Sequence, residues 1–125
     1  MSKVFKICIS NKYNHEMIKL NHVKAIAGKG LFKDRYYKEN NDKNSQITLI
    51  ESENIDYYNK VSNSNIPYIN FRRNIITQGI HLNELIHKKI IIGNVKIQIH
   101  KLCEPCLELQ IQLNQKNFVK NLLHR

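Results

Sequence analysis

The sequence predicts a mainly β domain, barrel-like or α+β in arrangement, with a few short helices. Short apolar runs that alternate with polar residues recur along the chain, and helix-length apolar patterns are few. Repeated strand–helix–strand units are not visible, which argues against a parallel α/β sheet. The 125 residues, 42% of them hydrophobic, suffice for one core of ordinary size. We therefore expect a single domain that covers residues 1–125.

Strand patterns occur from the N-terminus to the last quarter of the chain. In VKIQIH at 95–100 apolar and polar residues alternate strictly, so one face of that strand would be buried and the other wet. LELQIQL at 107–113 alternates in the same way. The predicted strands are 4–10, 22–27, 46–51, 74–78, 89–92, 94–100 and 107–113, and Gly93 separates two of them.

Helix patterns are short and few. Ser52 can cap a helix over about 53–61. Residues 82–87 can make one or two turns. Asn114 can cap a last helix that carries Phe118, Val119, Leu122 and Leu123 on one face. The polar stretch 38–45 is expected to be a solvated, mobile loop.

The formal net charge of +10 would suit nucleic acid, acidic lipid or phosphorylated ligands. The lysines are spread along the chain rather than clustered, and the abundance of Lys, Ile and Asn is what an AT-rich genome encodes. A basic β-domain that binds nucleic acid stays the alternative function, although nucleic acid is not the partner we expect. It is motivated by aromatic residues interleaved with lysines, namely Tyr36, Tyr37, Tyr57, Tyr58, Tyr68 and Phe71.

The sequence carries no targeting or membrane signal. No apolar run approaches the ~20 residues that span a bilayer. The N-terminal MSKVFKICISNK has an apolar stretch interrupted by Lys6 and lacks the apolar region and cleavage site of a signal peptide. We expect a cytoplasmic protein without a membrane partner.

Three cysteines, an odd number in a reducing compartment, argue against a disulfide framework. Cys8 fits a small core residue of the first strand. Cys103 and Cys106 enclose Glu104-Pro105 and admit several interpretations: half of a zinc site, a redox pair, one reactive thiolate in a stiff turn, or two inert thiols. Zinc would need a second ligand pair, and the strand-like 107–113 argues against the helix that a redox pair requires.

Two further stretches could contact an anion. Gly28-Lys29-Gly30 can form a tight turn that points backbone N–H groups at a bound anion. Asp34-Arg35 can be an exposed pair or a buried lock, and local features favour a structural role. Arg72 and Arg73 would face opposite ways on a strand, so at most one would enter a site, where its planar fork suits phosphate or carboxylate. An ordinary surface arginine is an equal alternative.

Taken in order, GKGLFKDRYY, SQITLIE and RRNIITQGIHLNELIHKKIIIGNVKIQIHKLCEPCLEL resemble the MOSC domain, the family named for the C-terminal domain of molybdenum cofactor sulfurase. The resemblance runs from about Val23 to the end. Asp34 and Arg35 match the end of the family's Gly-Asp-Arg, with Lys33 in place of its glycine. Arg73 and Asn74 match the family's Arg-Asn pair. The glycines and apolar residues that follow it are matched by Gly79, Ile80, Leu82 and Gly93. Cys106 matches the family's cysteine.

The resemblance implies a β-rich, barrel-like fold and a function tied to sulfur or molybdenum. Cys106 would carry sulfur as a persulfide, or ligate molybdenum where the cofactor is bound. Lys29, Arg35 and Arg73 would be anion contacts, and the implied cofactor-binding set also includes Asp34 and Asn74. The implied cofactor is the pterin-based molybdenum cofactor, and pyridoxal phosphate is not expected. A sulfur donor or a molybdoenzyme would be the partner, and catalysis by the domain alone stays open.

The chain ends at Arg125, where the family pattern usually continues through a glycine-rich turn and a further strand. The resemblance therefore implies either a shortened version of the domain or a barrel that lacks a part at its C-terminal end. An open sheet edge of that kind would allow a dimer.

Between the two paired cysteines, Cys106 is predicted to be the functional thiol. It matches the family's cysteine and follows Pro105, which restrains the turn. Cys103 would fall on the buried face if the strand before it continued through Lys101, and burial makes a thiol inert. The competing interpretation is a reversible disulfide in which Cys103 resolves a persulfide on Cys106.

Overall fold

The computed structural model describes residues 2–12, 16–38 and 46–100. These ranges contain eight short strands and one α-helix. The elements in chain order are β1 (Lys3–Ile9), β2 (Ile18–Leu20), β3 (Ala25–Ile26), β4 (Gly30–Leu31), β5 (Leu49–Glu51), α1 (Ser52–Ser62), β6 (Ile75–Gln78), β7 (Lys89–Ile92) and β8 (Val95–Gln98), with 3-10 turns at Tyr68–Phe71 and Leu82–Leu85.

A four-stranded sheet in the order β2-β1-β6-β5 forms the centre of the fold. β1 runs antiparallel to both of its neighbours, whereas β5 runs parallel to β6. The chain between β5 and β6 contains α1, so the sequence holds one strand–helix–strand crossover that its patterns did not reveal. The sheet is not closed into a barrel within the described residues, where β2 and β5 are its edges. Pairing of an edge with a second copy stays a prediction.

The core lies between this sheet and α1. Ile55 and Tyr58 of the helix and Ile76 of β6 are fully buried. The rings of Tyr58 and Phe71 meet edge to face with centroids 6.1 Å apart, a favourable aromatic geometry. Cys8 is fully buried in the same cluster, as the sequence predicted.

A bulge in β1 places Phe5 against the core. The pairing with β6 shifts between Val4 and Lys6, so Phe5 is an extra residue in the ladder. Its ring packs edge to face on Tyr68 at 5.2 Å between centroids. Phe5 therefore packs against the core although it has no partner in the ladder.

The hairpin of β7 and β8 agrees closely with the prediction. Ile92 pairs with Val95 across the turn at Gly93, whose φ of 60° suits glycine. Exposed and half-buried residues alternate along both strands, and Ile91 is 69% exposed.

Other expectations require correction. The predicted strand at 22–27 shortens to β3, in which Ala25 and Ile26 pair with β4, and the Phe32 N–H donates to the Lys24 carbonyl just beyond it at 2.8 Å. β2 and β4 were not predicted. Residues 82–87 form only the 3-10 turn Leu82–Leu85. The helix at 53–61 is confirmed, but Ser52 is its first helical residue rather than its cap, and its hydroxyl lies 3.4 Å from Glu53 Oε1.

Some predictions fall outside the described ranges. They are most of the loop at 38–45, the strand at 107–113, the helix after Asn114 and the two paired cysteines. Within the described ranges, no helix has the length and apolar character needed to cross a membrane.

Candidate functional site

Three segments that are distant in sequence meet beside the end of β1. The Ser10 N–H donates to Asp34 Oδ1 at 3.1 Å, and the Arg35 N–H donates to the Ser10 carbonyl at 2.6 Å. On the other side the Cys8 N–H donates to the Asn74 carbonyl at 2.7 Å. We call this meeting of residues 8–10, 34–36 and 72–74 the β1 junction. It brings the Asp-Arg and Arg-Asn pairs of the family resemblance into one place.

Asp34 is a buried anchor of the junction. Its side chain is fully buried, and its carboxylate accepts the N–H groups of Ser10 and, at 3.2 Å, of Tyr36. Arg35 Nη1 lies 3.3 Å from Asp34 Oδ1. These charge-assisted bonds match the buried-lock interpretation rather than the exposed pair.

The Arg35 side chain is only 3% exposed and is engaged with the protein. Its Nη2 donates to the Arg72 carbonyl at 2.9 Å, and its Nη1 lies 3.2 Å from Met17 Sδ. The guanidinium carbon lies 4.3 Å from the centroid of the Tyr36 ring, a cation–π contact. The fork of Arg35 thus connects three segments of the chain.

Arg72 and Arg73 are not on a strand. Arg72 ends the 3-10 turn at Tyr68–Phe71 with φ 60° and ψ 36°, in the left-handed region, and β6 begins only at Ile75. The expectation that strand geometry separates the two arginines is therefore wrong, because the chain turns here. Arg73 is half-buried, and its side chain has no hydrogen bond or ion pair with any residue of the described ranges.

Asn74 fastens β6 to its neighbours. Its Oδ1 accepts the N–H and the hydroxyl of Thr48 at 3.0 and 3.2 Å, and its Nδ2 donates to the Cys8 carbonyl at 3.1 Å. Its N–H donates to Thr48 Oγ1 at 2.9 Å. Asn74 is fully buried, so the structure places this predicted site residue within the framework of the junction.

The Gly28-Lys29-Gly30 stretch is the turn between β3 and β4. The Lys29 N–H closes this turn by donating to the Ile26 carbonyl at 3.0 Å. This N–H group is therefore not directed at a bound anion, contrary to the expectation. A Cβ on Gly30 would stand 2.8 Å from the Gln46 carbonyl oxygen, which explains the second glycine. An anion contact by the Lys29 side chain stays a prediction.

The predicted thiol, Cys106, and its neighbour Cys103 lie outside the described residues. Cys8 is the cysteine that the structure describes, and burial raises the pKa of its thiol, with Lys6 and Lys19 acting in the opposite direction. Among residues 2–12, 16–38 and 46–100, no group of three His, Cys, Asp or Glu side chains is placed to hold a metal ion.

Two of the aromatic residues behind the nucleic-acid alternative are core residues. Tyr58 and Phe71 are at most 1% exposed and pack on each other, so their faces cannot stack with bases. Tyr68 is half-buried, and its hydroxyl donates to Asp56 Oδ1 at 2.6 Å.

The model of the MOSC domain family matches residues 28–125. This range includes the β3–β4 turn, the Asp34-Arg35 and Arg73-Asn74 pairs and Cys106. This chain belongs to the MOSC domain family. Its fold is similar to that of the YuaD protein from Bacillus subtilis, with a TM-score of 0.74 and 14% identity over 100% of this chain and 89% of that protein. It is also similar to YiiM from Geobacillus stearothermophilus, with a TM-score of 0.71 and 13% identity.

That second likeness covers 96% of this chain and 60% of YiiM, so this MOSC domain spans less than two thirds of that protein. No curated protein matches the sequence significantly. At these identities the two structures establish the fold, and they confirm the β-rich MOSC-type class that the sequence predicted.

Sequence reasoning missed the residues that connect the motifs of this MOSC domain. Ser10 belongs to no motif, and Thr48 lies in the SQITLIE stretch without an assigned role, yet they contact Asp34 and Asn74. Lys33 has φ 70°, the left-handed conformation that glycine adopts without strain. The one available signal was that Lys33 stands where the family pattern has glycine.

Proposed function

We propose that this MOSC domain carries sulfur on the Cys106 thiolate or binds the molybdenum cofactor through it, with Arg73 as an anion contact. The observation that carries this proposal is the family match across residues 28–125, which includes Cys106 and the arginines of the β1 junction. A sulfur donor or a molybdoenzyme would be its partner.

The chemistry of the described residues fits an anionic ligand. Arg73 presents a planar cation that makes no hydrogen bond or ion pair with the described part of the chain. A guanidinium fork suits phosphate and other oxyanions. Asp34 and Asn74 hold the backbone around it, and Lys29 is a second candidate cation. When bound, the molybdenum cofactor would supply a redox-active metal and the anionic group of its pterin.

The sulfur-carrier form of the proposal has a simple balance. The Cys106 thiolate attacks the outer sulfur of a donor persulfide, R–S–SH. The S–S bond of the donor breaks, R–S⁻ leaves, and Cys106 holds the persulfide. This step needs an accessible thiolate, and nearby cations favour that form of a cysteine.

The decisive experiment is alkylation of the folded protein by iodoacetamide at neutral pH, with each cysteine located by mass spectrometry. Cys106 is expected to react first. Cys8 is the internal control, because it is fully buried and its burial raises the pKa of the thiol. In separate samples that have not been alkylated, incubation with a persulfide donor should add one sulfur atom, and C106S should abolish this loading while C103S retains most of it.

A folded protein in which Cys106 resists alkylation as strongly as Cys8 would contradict the proposal. Equal loss of loading in C103S and C106S would instead favour the reversible disulfide between the two thiols.

A further inference from the structure

The guanidinium of Arg35 has few donors left for a ligand. Nη1 contacts Met17 Sδ and Asp34 Oδ1, and Nη2 contacts the Arg72 carbonyl at 2.9 Å and the Tyr36 hydroxyl at 3.5 Å. Four of its five N–H groups can be directed at these partners. With a side chain that is 3% exposed, Arg35 is poorly placed to contact an anion itself.

The strongest of these contacts holds an unfavourable backbone conformation. Arg72 has φ 60°, where a residue other than glycine loses about 1–2 kcal/mol. Its N–H donates to the Ile69 carbonyl at 3.2 Å, and its carbonyl accepts Arg35 Nη2. The peptide group that leads into Arg73 is therefore held by the Arg35 side chain.

Arg73 is fixed from its other side as well. The next residue, Asn74, is fully buried and bonded to Thr48 and Cys8. The backbone of Arg73 thus lies between two anchored residues, while its guanidinium has no partner in the described ranges. An unpaired cation on a held backbone is a preorganised contact for an anion.

We infer that Arg35 is a positioning residue: it holds the turn at Arg72 and so orients Arg73, the residue that contacts the anion. This inference rests on the proposed function and deepens it, because it separates the two arginines that the family resemblance groups together. The ligand class is an oxyanion that a single guanidinium fork can grip.

The test is a titration with sodium molybdate at low salt, in which NMR monitors the signals of the arginine Nε–H groups and of the backbone. In the wild-type protein the Arg73 Nε–H signal is expected to move and saturate, while the Arg35 signal stays in place. R35M removes the fork but keeps an apolar side chain. It should shift the backbone signals of Arg72 and weaken molybdate binding about tenfold, the effect of one lost charge-assisted hydrogen bond.

M17L is the matched control, because it removes the sulfur contact of Arg35 and leaves the bond to the Arg72 carbonyl. It should change neither the Arg72 signals nor the affinity. R35K retains one donor for that carbonyl and should recover part of the affinity, which a general loss of packing would not allow.

The inference is overturned if the Arg35 Nε–H signal moves with molybdate as the Arg73 signal does. This part of the test needs only the wild-type protein, so it can be done even if R35M does not fold. It is also overturned if folded R35M keeps the Arg72 signals and the affinity of the wild type. If molybdate moves neither arginine, the anion contact of the proposed function fails. The Arg72 signals of R35M then decide whether Arg35 holds the turn.

Discussion

Lys33 has the backbone conformation of a glycine, although it is not the glycine that the family pattern has at this position. Its φ of 70° is a conformation that glycine adopts freely and that strains other residues. It comes directly before Asp34, so the shape of this turn determines how the Asp-Arg pair enters the β1 junction. The structure gives a physical reason for the family's glycine at this position.

We predict that K33G is more stable than K33A by about 1 kcal/mol, because both remove the lysine from the Phe32 ring but only glycine relieves the backbone. Urea unfolding of the two variants measures the difference.

Lys24 provides the matched control. It is exposed and does not share the positive φ, so K24G should be less stable than K24A. If the alanine variant is more stable than the glycine variant at both positions, the backbone of Lys33 is not strained.

Asn74 is the second residue on which the junction depends. N74A would remove three side-chain hydrogen bonds and leave the Cys8 carbonyl and the Thr48 N–H without this partner. We predict a loss of about 3 kcal/mol in the free energy of unfolding, measured by urea unfolding.

Asn70 offers a comparison for N74A, since it is exposed and its side chain makes no hydrogen bond within the described residues. N70A should change the free energy of unfolding by less than about 0.5 kcal/mol. Equal effects of the two substitutions would contradict a special role for Asn74.

At the scale of elements, α1 is connected to the end of β6 through Glu53. The Gly79 N–H donates to Glu53 Oε2 at 2.8 Å, although the side chain lies at the surface. Partial desolvation opposes the shift, but the N–H groups of Gly79 and of Glu53 itself and the Ser52 hydroxyl hold the pKa of this carboxyl below its ordinary 4.5. The first turn of the helix thereby fixes the point where the chain leaves the sheet.

This lowered pKa predicts a pH dependence of stability. The ionised Glu53 is favoured in the folded state, so its contribution is present above about pH 4.5 and is lost as the pH falls through the lower folded pKa. We predict that wild type exceeds E53Q in free energy of unfolding at pH 7 and that the difference shrinks below pH 4.5. Urea unfolding of both proteins across this range measures it.

E84Q controls for the loss of one negative charge, because the exposed Glu84 carboxylate makes no hydrogen bond to the described part of the chain. If E53Q and E84Q differ from wild type by the same amount at every pH, the bond to Gly79 does not act as described.

At the scale of the molecule, Cys8 lies where the sheet, α1 and the β1 junction meet. It is fully buried, and burial raises the pKa of its thiol above the ordinary 9.0. Its backbone bonds to Asn74, which is 66 residues away in sequence. Exposure of Cys8 therefore requires breaking contacts between distant parts of the chain.

The raised pKa of Cys8 implies a loss of stability at alkaline pH. The unfolded thiol ionises near pH 9.0 and the folded thiol only at higher pH, so its contribution is complete below pH 9.0 and is lost as the pH rises through the folded pKa. We predict that the free energy of unfolding of the wild type falls more steeply above pH 9 than that of C8A. Parallel urea unfolding under reducing conditions tests this, and identical slopes would argue against a protected thiol.

The sequence by itself determined the fold class, the family, the helix at 53–61 and the hairpin around Gly93. These features depend on local periodicity, on turn residues and on the order of motifs, all of which can be seen in a short window. The hairpin was predicted best because its two strands are adjacent in sequence and one residue, Gly93, sets its turn.

Only the tertiary structure decided how the motifs meet. The pairing of Asp34 with Ser10, the bond of Arg35 to the Arg72 carbonyl and the bonds of Asn74 to Thr48 and Cys8 join segments separated by 24 to 66 residues. Such contacts depend on which strands become neighbours, and local sequence patterns carry little information about that. The division of roles between Arg35 and Arg73 follows from this topology, since one guanidinium lies on the Arg72 carbonyl and the other is left without a partner in the described residues.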